Sequence, residues 1–268
     1  MKLEILGSGT SHGVPVITCD CKVCTSTAPH DIRYRSSAWI SDENTDFSVL
    51  IDCGPEFRLQ ALRANIKKLS AVLMTHAHAD HAHGLDDLRI FCNQLSMPVY
   101  LNEPAFKQIK QQFAYVFRAS KTKCAIPKFD LKKAIAGVPF KINEIEVTPI
   151  PLLHGKLETL GWRIGDTAYL TDCNHIPEKS YELLYGINNL VIDALRARKH
   201  VTHFSFSEAL TEITKIGTKS AWFTHICHDY SHAEIKEFIK TEKMKNPKLA
   251  DKKIEPAYDG LIIEISTK

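Results

Sequence analysis

Four side chains able to bind metal fall within six positions in His76-x-His78-x-Asp80-His81, directly after the apolar run Ser70 to Thr75. An aspartate and several histidines in one apolar neighbourhood would carry heavy desolvation penalties unless something coordinated and neutralised them. A strand entering a loop can fan His76 and His78 toward one metal, while Asp80 and His81, as the chain turns, reach a second ion close by. A lone histidine is more often a packing residue, but four donors at this spacing point to a di-metal centre.

Four donors are too few for two ions, so further ligands are expected where other apolar runs end. His154 follows Pro149 to Leu153, Asp172 follows Ala168 to Thr171, and His225 follows Ala221 to Thr224. Two metals about 3.5–4 Å apart can share a hydroxide formed near neutral pH and can polarise an ester oxygen, which is hydrolytic chemistry. The set holds Asp and His without a thiolate, so Zn, Mn and Fe all remain open.

A second group of donors is separate. Cys19-x-Cys21-x-x-Cys24 brings three sulfurs onto one short loop, and a tetrahedral structural zinc needs one ligand more. In His225-Ile-Cys-His228 the second histidine is surplus to the di-metal set and is the favoured fourth ligand, with His30 competing. The scattered Cys53, Cys92, Cys124, Cys173 and Cys227 read as small buried hydrophobes. Eight cysteines without an export signal are expected to be reduced thiols or ligands rather than disulfides.

The elements that must position these groups form one pattern along 268 residues, 44% of them hydrophobic. Strands are expected at Leu3 to Gly9, Ser37 to Ile40, Phe47 to Ile51, Ala71 to Thr75, Glu146 to Pro151, Ala168 to Thr171, Leu190 to Asp193, Ala221 to Thr224 and Leu261 to Ile265. Helices are expected at Glu56 to Ile66, Pro104 to Phe117, Pro177 to Tyr185, Ser207 to Ile216 and His232 to Lys240, with Pro177, Ser207 and Ser231 as suitable starts. The order implies an α/β layered protein of one domain, residues 1–268, with its site on loops at one sheet edge, but does not fix the topology. Gly7 to Gly13 reads as a tight turn after the first strand, and Tyr258-Asp259-Gly260 as a hairpin turn.

The start of the chain has no apolar leader, and no run reaches the length of a membrane span, so a cytoplasmic protein is expected. A net charge of +3 is too small to mark a nucleic-acid protein. The basic stretches Lys123 to Lys133 and Lys240 to Lys253 read as solvated surface, although a positive excess would draw an anionic substrate toward a di-metal cleft.

With His76, His78, Asp80, His81, His154, Asp172 and His225 in this order, the chain resembles the metallo-β-lactamase superfamily over nearly its whole length. The resemblance implies an αββα four-layer sandwich, with His76, His78 and His154 on one metal, Asp80, His81 and His225 on the other, and Asp172 bridging. It also places Asp52 behind a ligand, as support. The Cys loop just after Gly7-x-Gly9-x-x-x-Gly13-x-Pro15 is similar to the PhnP-type branch, which Asp259-Gly260 also fits. Members of that branch are phosphodiesterases that open five-membered cyclic phosphates such as phosphoribosyl 1,2-cyclic phosphate. A histidine matching His203, in His200-Val-Thr-His203, protonates the leaving oxygen in related enzymes, so His203, Asp80 and Asp172 are the expected catalytic residues, with His200 the alternative donor.

The resemblance thus implies a metal-dependent phosphoric diester hydrolase with two active-site divalent ions and one structural zinc. Its partner would be a small anionic phosphodiester, with neither membrane nor nucleic acid expected and a homodimer left open. An RNase Z-like nuclease shares the ligands but should carry a basic Gly/Pro-rich arm, and only seventeen residues separate His154 from Asp172. A PqqB-like oxidative enzyme shares the zinc loop, yet the complete ligand set favours hydrolysis. A β-lactamase or thioesterase leaves the Cys loop unexplained, and a binding module would require ligands to have been lost.

Overall fold

The computed structural model describes residues 1–92, 95–118 and 126–267, so Cys124 and the Lys123 end of the first basic stretch lie outside the described residues. In the first half the strands are β1 (Lys2–Gly7), β2 (Ser37–Ser41), β3 (Ser48–Ile51), β4 (Ala71–Leu73), β5 (Met97–Leu101) and β6 (Phe129–Lys133). The second half adds β7 (Phe140–Ile142), β8 (Ile145–His154), β9 (Leu157–Ile164), β10 (Thr167–Leu170), β11 (Asn189–Asp193), β12 (Ser220–Thr224), β13 (Lys253–Pro256) and β14 (Ile262–Glu264). They form two seven-stranded sheets, ordered β14-β1-β2-β3-β4-β5-β6 and β13-β12-β11-β10-β9-β8-β7. In each sheet one run is parallel, β3 through β6 and β10 through β13, and the rest is antiparallel.

The alternation of side chains along a strand builds the layers. Ala71 and Leu73 of β4 meet Tyr169, Val191 and Trp222 of the second sheet in one apolar layer between the sheets. Val72 and Met74 point the other way, against Phe57, Leu88 and Ile109. Likewise Ala168 and Leu170 of β10 pack outward on Phe206, Leu210, Ile235 and Leu249. The outer layer of the first sheet is α1 (Phe57–Arg63), the 3-10 turn Leu85–Phe91 and α3 (Glu103–Gln112), with the single turns α2 (Ala79–Ala82) and α4 (Ala114–Phe117) beside them. That of the second sheet is α5 (Glu178–Leu184), α6 (Phe206–Ile216), α7 (His232–Lys245) and α8 (Pro247–Ala250). The expected αββα sandwich is therefore present.

Several local expectations are corrected. Helix α6 is capped by Ser205, whose hydroxyl and Glu208 make a reciprocal capping box, so its first residue is Phe206, one before Ser207. Ser231 with Glu234 caps α7 in the same way, and α7 runs on to Lys245. The expected helix from Pro104 to Phe117 breaks at Phe113. Strands β5, β6, β7, β9 and β13 were not legible from the sequence: β6, β7 and β13 are sheet edges, where polar residues and proline are tolerated. Tyr258-Asp259-Gly260 is a crossover and not a hairpin, because β13 pairs with β12 while β14 pairs with β1 in the other sheet. Its Asp259 carboxylate accepts from the backbone N–H and hydroxyl of Ser8 and from the Tyr34 N–H, each at 2.8 Å, which fastens this crossover to the loop after β1. That loop is a turn, closed by a Gly13 N–H to Thr10 carbonyl bond of 2.8 Å. Among the described residues no helix is long and apolar enough to cross a membrane.

Candidate metal centre

The carboxyl ends of β3, β4, β8, β10, β11 and β12 meet at one edge, and the candidate site residues follow directly from them. At three of these ends the backbone turns left-handed: Asp52 at φ +58°, Asp172 at +49° and His225 at +59°. Such a conformation costs a residue with a Cβ about 1–2 kcal/mol, so the surrounding packing must impose it. From there the Asp52 carboxylate meets Thr75 and His81, and the side chains of Asp172 and His225 come within 3.2 Å of each other.

Two donor groups share one carboxylate. Ligand atoms of His76, His78, His154 and Asp172 lie within 4.8 Å of one another, as do those of Asp80, His81, Asp172 and His225. Asp172 Oδ1 is 3.1 Å from His81 Nε2 and 3.2 Å from His225 Nε2, whereas its Oδ2 faces His76 Nε2 at 3.8 Å. The Nε2 atoms of His76, His81 and His225 are buried without a hydrogen-bond partner. Buried polar atoms are ordinarily paired, so three orphaned imidazole nitrogens converging on carboxylates fit a pair of cations.

Ring nitrogens on the far side are held by the protein. Asp52, wholly buried, accepts the His81 Nδ1–H at 2.7 Å, and also takes the Thr75 hydroxyl at 2.7 Å and its N–H at 2.8 Å. His154 Nδ1 donates to the Thr202 carbonyl at 2.7 Å. These bonds select the tautomer that leaves Nε2 free to ligate. Burial pushes His76 well below the usual imidazole range and lowers His154, which keeps both neutral as ligands must be. Burial alone would also lower His81, but the negative charge of Asp172, Asp80 and Asp52 outweighs it and pushes its pKa well above that range, and a cation bound among the same carboxylates would take the place of the Nε2 proton. Burial opposes ionisation of Asp80 and Asp172, yet the neighbouring histidines prevail and keep both carboxylates charged.

His203 stands between the two groups, its ring 4.5 Å from that of His225 and 4.6 Å from that of His154. Its Nδ1 lies 2.8 Å from Asp193 Oδ2. His200 sits one ring further out, 5.2 Å from His203, with its Nδ1 engaged by Thr202. The sequence marks Asp193 only as the end of a strand. The available signal was that β11, like β10, is an apolar run closed by an aspartate.

The thiol loop forms a separate cluster. His228 Nδ1 is 3.3 Å from the Cys19 and Cys24 sulfurs and 3.6 Å from that of Cys21. With zinc bonds of about 2.3 Å to sulfur and about 2.0–2.1 Å to nitrogen, tetrahedral geometry requires a sulfur-to-nitrogen edge of about 3.5 Å. The Cys24 backbone N–H leads the interactions that draw Cys21 down to about 6, while burial pushes Cys24 up to about 11. His30 is not in this group: it stacks on Tyr258 at 4.0 Å and edges on His232 at 4.8 Å. Of the scattered cysteines, Cys53, Cys92, Cys173 and Cys227 are buried free thiols.

Gly54 and Gly84 keep the Asp80 turn pressed against the end of β3. A Cβ on Gly54 would run into the Asp80 carbonyl, and one on Gly84 into the Gly54 carbonyl. Gly54→Ala is therefore expected to displace Asp80 and lower the second group's metal affinity by about 10–100-fold, the range for disturbing a ligand's support. Metal titration of the purified variant checks this, and wild-type affinity would contradict it.

Stacked mixed sheets with helices outside, and donors for two ions at their common edge, define an α/β protein with a candidate binuclear metal centre. The chain belongs to the beta-lactamase superfamily, in its PhnP-type branch: the family model for the beta-lactamase superfamily domain matches residues 48–226. A crystal structure of a diphosphatase from the PhnP family superposes with a TM-score of 0.85 at 36% identity, covering 99% of this chain and 98% of that one. A protein called octanoyltransferase in Porphyromonas gingivalis (strain ATCC BAA-308 / W83) is 37% identical over 269 residues, 100% of this chain but 52% of that protein. Ribonuclease Z of Bacillus subtilis (strain 168) is 29% identical over 170 residues, 61% of this chain and 49% of the relative. The chain thus spans about half the length of these curated relatives.

Proposed function

We propose that this protein is a di-metal phosphodiesterase that hydrolyses a small anionic, cyclic phosphodiester of the phosphoribosyl 1,2-cyclic phosphate type. One observation carries the reading: the two donor groups are joined through the opposite oxygens of Asp172, with the His203 imidazole between them. His76, His78 and His154 with Asp172 would hold one divalent ion, and Asp80, His81 and His225 with Asp172 the other, as Zn or Mn with Fe also admissible. Cys19, Cys21, Cys24 and His228 would hold a structural zinc. When bound, the active-site pair supplies Lewis acidity to a phosphoryl oxygen and to the attacking water.

The chain's own part is positioning and proton transfer. Asp52 and the Thr202 carbonyl fix His81 and His154 before substrate arrives, so little reorganisation remains for the reaction. His203, with Nδ1 held by Asp193, has Nε2 as the nitrogen that can protonate the leaving oxygen. His203→Ala should lower kcat by about 10²–10⁴ on diesters with poor leaving groups, at unchanged metal content. The loss should shrink for p-nitrophenyl esters, which leave without much protonation. A uniform loss across leaving groups would move the role to substrate positioning.

The diphosphatase of the PhnP family supports a second reading in which the bond cleaved is a phosphoanhydride, the same chemistry on a different leaving group. An RNase Z-like activity has less support, because β9 and β10 occupy most of the segment between His154 and Asp172, where a substrate arm would be inserted. Octanoyl transfer is not carried over, since this chain spans 52% of the protein so called. Assaying metal-loaded protein against cyclic phosphates, diphosphate esters, linear diesters and precursor tRNA separates these readings. Turnover of precursor tRNA alone would overturn the proposal.

A further inference from the structure

We propose that Arg196 determines substrate specificity: its guanidinium takes a second anionic group of the substrate, a phosphomonoester carried on the leaving-group side of the scissile diester. The proposal rests on the phosphodiesterase reading, in which His203 marks that side. Arg196 follows β11, and its backbone is held from two directions. Its carbonyl accepts the Phe206 N–H at 2.9 Å beside a bridge to Ser205, so it runs along the segment that leads from His203 into α6. Leu195, just before it, donates to the Phe204 carbonyl at 2.9 Å and accepts the Cys227 N–H at 3.0 Å, which ties the same stretch to the loop of His225.

The side chain at this fixed point lacks a counterion. Arg196 is half-buried, and its Nε is buried without a hydrogen-bond partner. The next two cations along the chain are paired, Arg198 with Asp229 at 3.4 Å and Lys199 with Glu208 at 3.6 Å, whereas the Arg196 guanidinium has no carboxylate partner among the described residues. Its charge reaches both histidines of this side: burial is the leading cause that lowers His203 and His200 below the ordinary imidazole value, and Arg196 adds to it at each ring. A guanidinium stays charged at any working pH, and its planar N–H fork fits two oxygens of a phosphate. A buried N–H left without an acceptor is costly, so an anion from outside the chain is the partner that this group lacks. Because Arg196 acts on His203 and on the more outlying His200, that anion belongs to the group that departs toward the donor.

Two matched substrates on the metal-loaded protein test this, ribose 1,2-cyclic phosphate with and without a 5-phosphate. Arg196→Gln should raise KM for the phosphorylated substrate by about 10–100-fold, the range for a hydrogen bond to a charged group, with a much smaller effect on kcat. For the unphosphorylated substrate KM should rise far less. Arg196→Lys, which keeps the charge but loses the fork, should fall between wild type and Arg196→Gln, and it carries the test if the glutamine variant does not fold. Equal KM effects on both substrates, or a loss confined to kcat, would overturn the proposal and leave the phosphodiesterase reading intact. Should the wild-type protein turn over neither substrate, the cyclic-diester reading falls, and calorimetric binding of ribose 5-phosphate decides for Arg196. Binding weakened about tenfold or more in the variants supports the subsite, and binding that is equal or undetectable in wild type overturns it.

Discussion

Asp172→Asn should abolish turnover and deplete both halves of the candidate centre together. Asparagine tolerates the left-handed backbone at this position and keeps the side-chain shape, so the change removes charge rather than fold. Asp172 is the residue common to the two donor groups, and the Thr171 hydroxyl holds its Oδ1 at 2.9 Å. Loss of a shared ligand forfeits several kcal/mol of transition-state stabilisation, and at about 1.4 kcal/mol per decade this is about 10³-fold or more in kcat. His78→Ala should cost less, because His78 is exposed and belongs to one group only. Elemental analysis and hydrolysis of bis(p-nitrophenyl) phosphate measure both outcomes. An Asp172→Asn protein with wild-type metal content and rate would disprove the assignment of Asp172.

His225 and His228, three residues apart, should give opposite phenotypes when replaced. His225→Asn, which suits the left-handed backbone at this position, is expected to eliminate activity and reduce active-site metal with a near-normal melting temperature. His228→Ala should instead release zinc from Cys19, Cys21 and Cys24 and lower Tm. Zinc present at about 100–1,000 times its Kd contributes about 2.7–4.1 kcal/mol to the folded state. At about 2–4 °C per kcal/mol for a chain approaching this size, the drop should be about 5–16 °C.

Some activity should fall with His228→Ala as well, because the loop it anchors also carries His225. The Ile226 N–H donates to the Ser8 carbonyl at 2.9 Å, and the Cys227 carbonyl accepts from the buried Arg33 guanidinium at 2.7 Å. Differential scanning calorimetry with zinc analysis on both variants is the check. A His228→Ala protein with unchanged zinc and Tm would show that the thiol loop does not depend on this histidine.

The amino-acid sequence determined the chemistry of the donors and their placement at strand ends, because both are local properties. Histidine and aspartate are donors wherever they lie, and an apolar run such as Ala168 to Thr171 forms a buried strand whatever its neighbour, so Asp172 must emerge at its end. The spacing from His76 to His81 likewise required only one loop. Local sequence left open which histidine meets which group: His228 or His30 for the thiols, His203 or His200 between the donor groups. Those choices depend on contacts across about two hundred residues, such as Cys19 to His228, which are made only when the two sheets stack. For the same reason tertiary structure alone decided that the strand-ending Asp193 turns inward to His203, that Asp52, Asp172 and His225 take left-handed backbone, and that the chain crosses between sheets at Tyr258 to Gly260. Each is a conformation or contact that no short segment favours by itself, and that packing between the sheets stabilises.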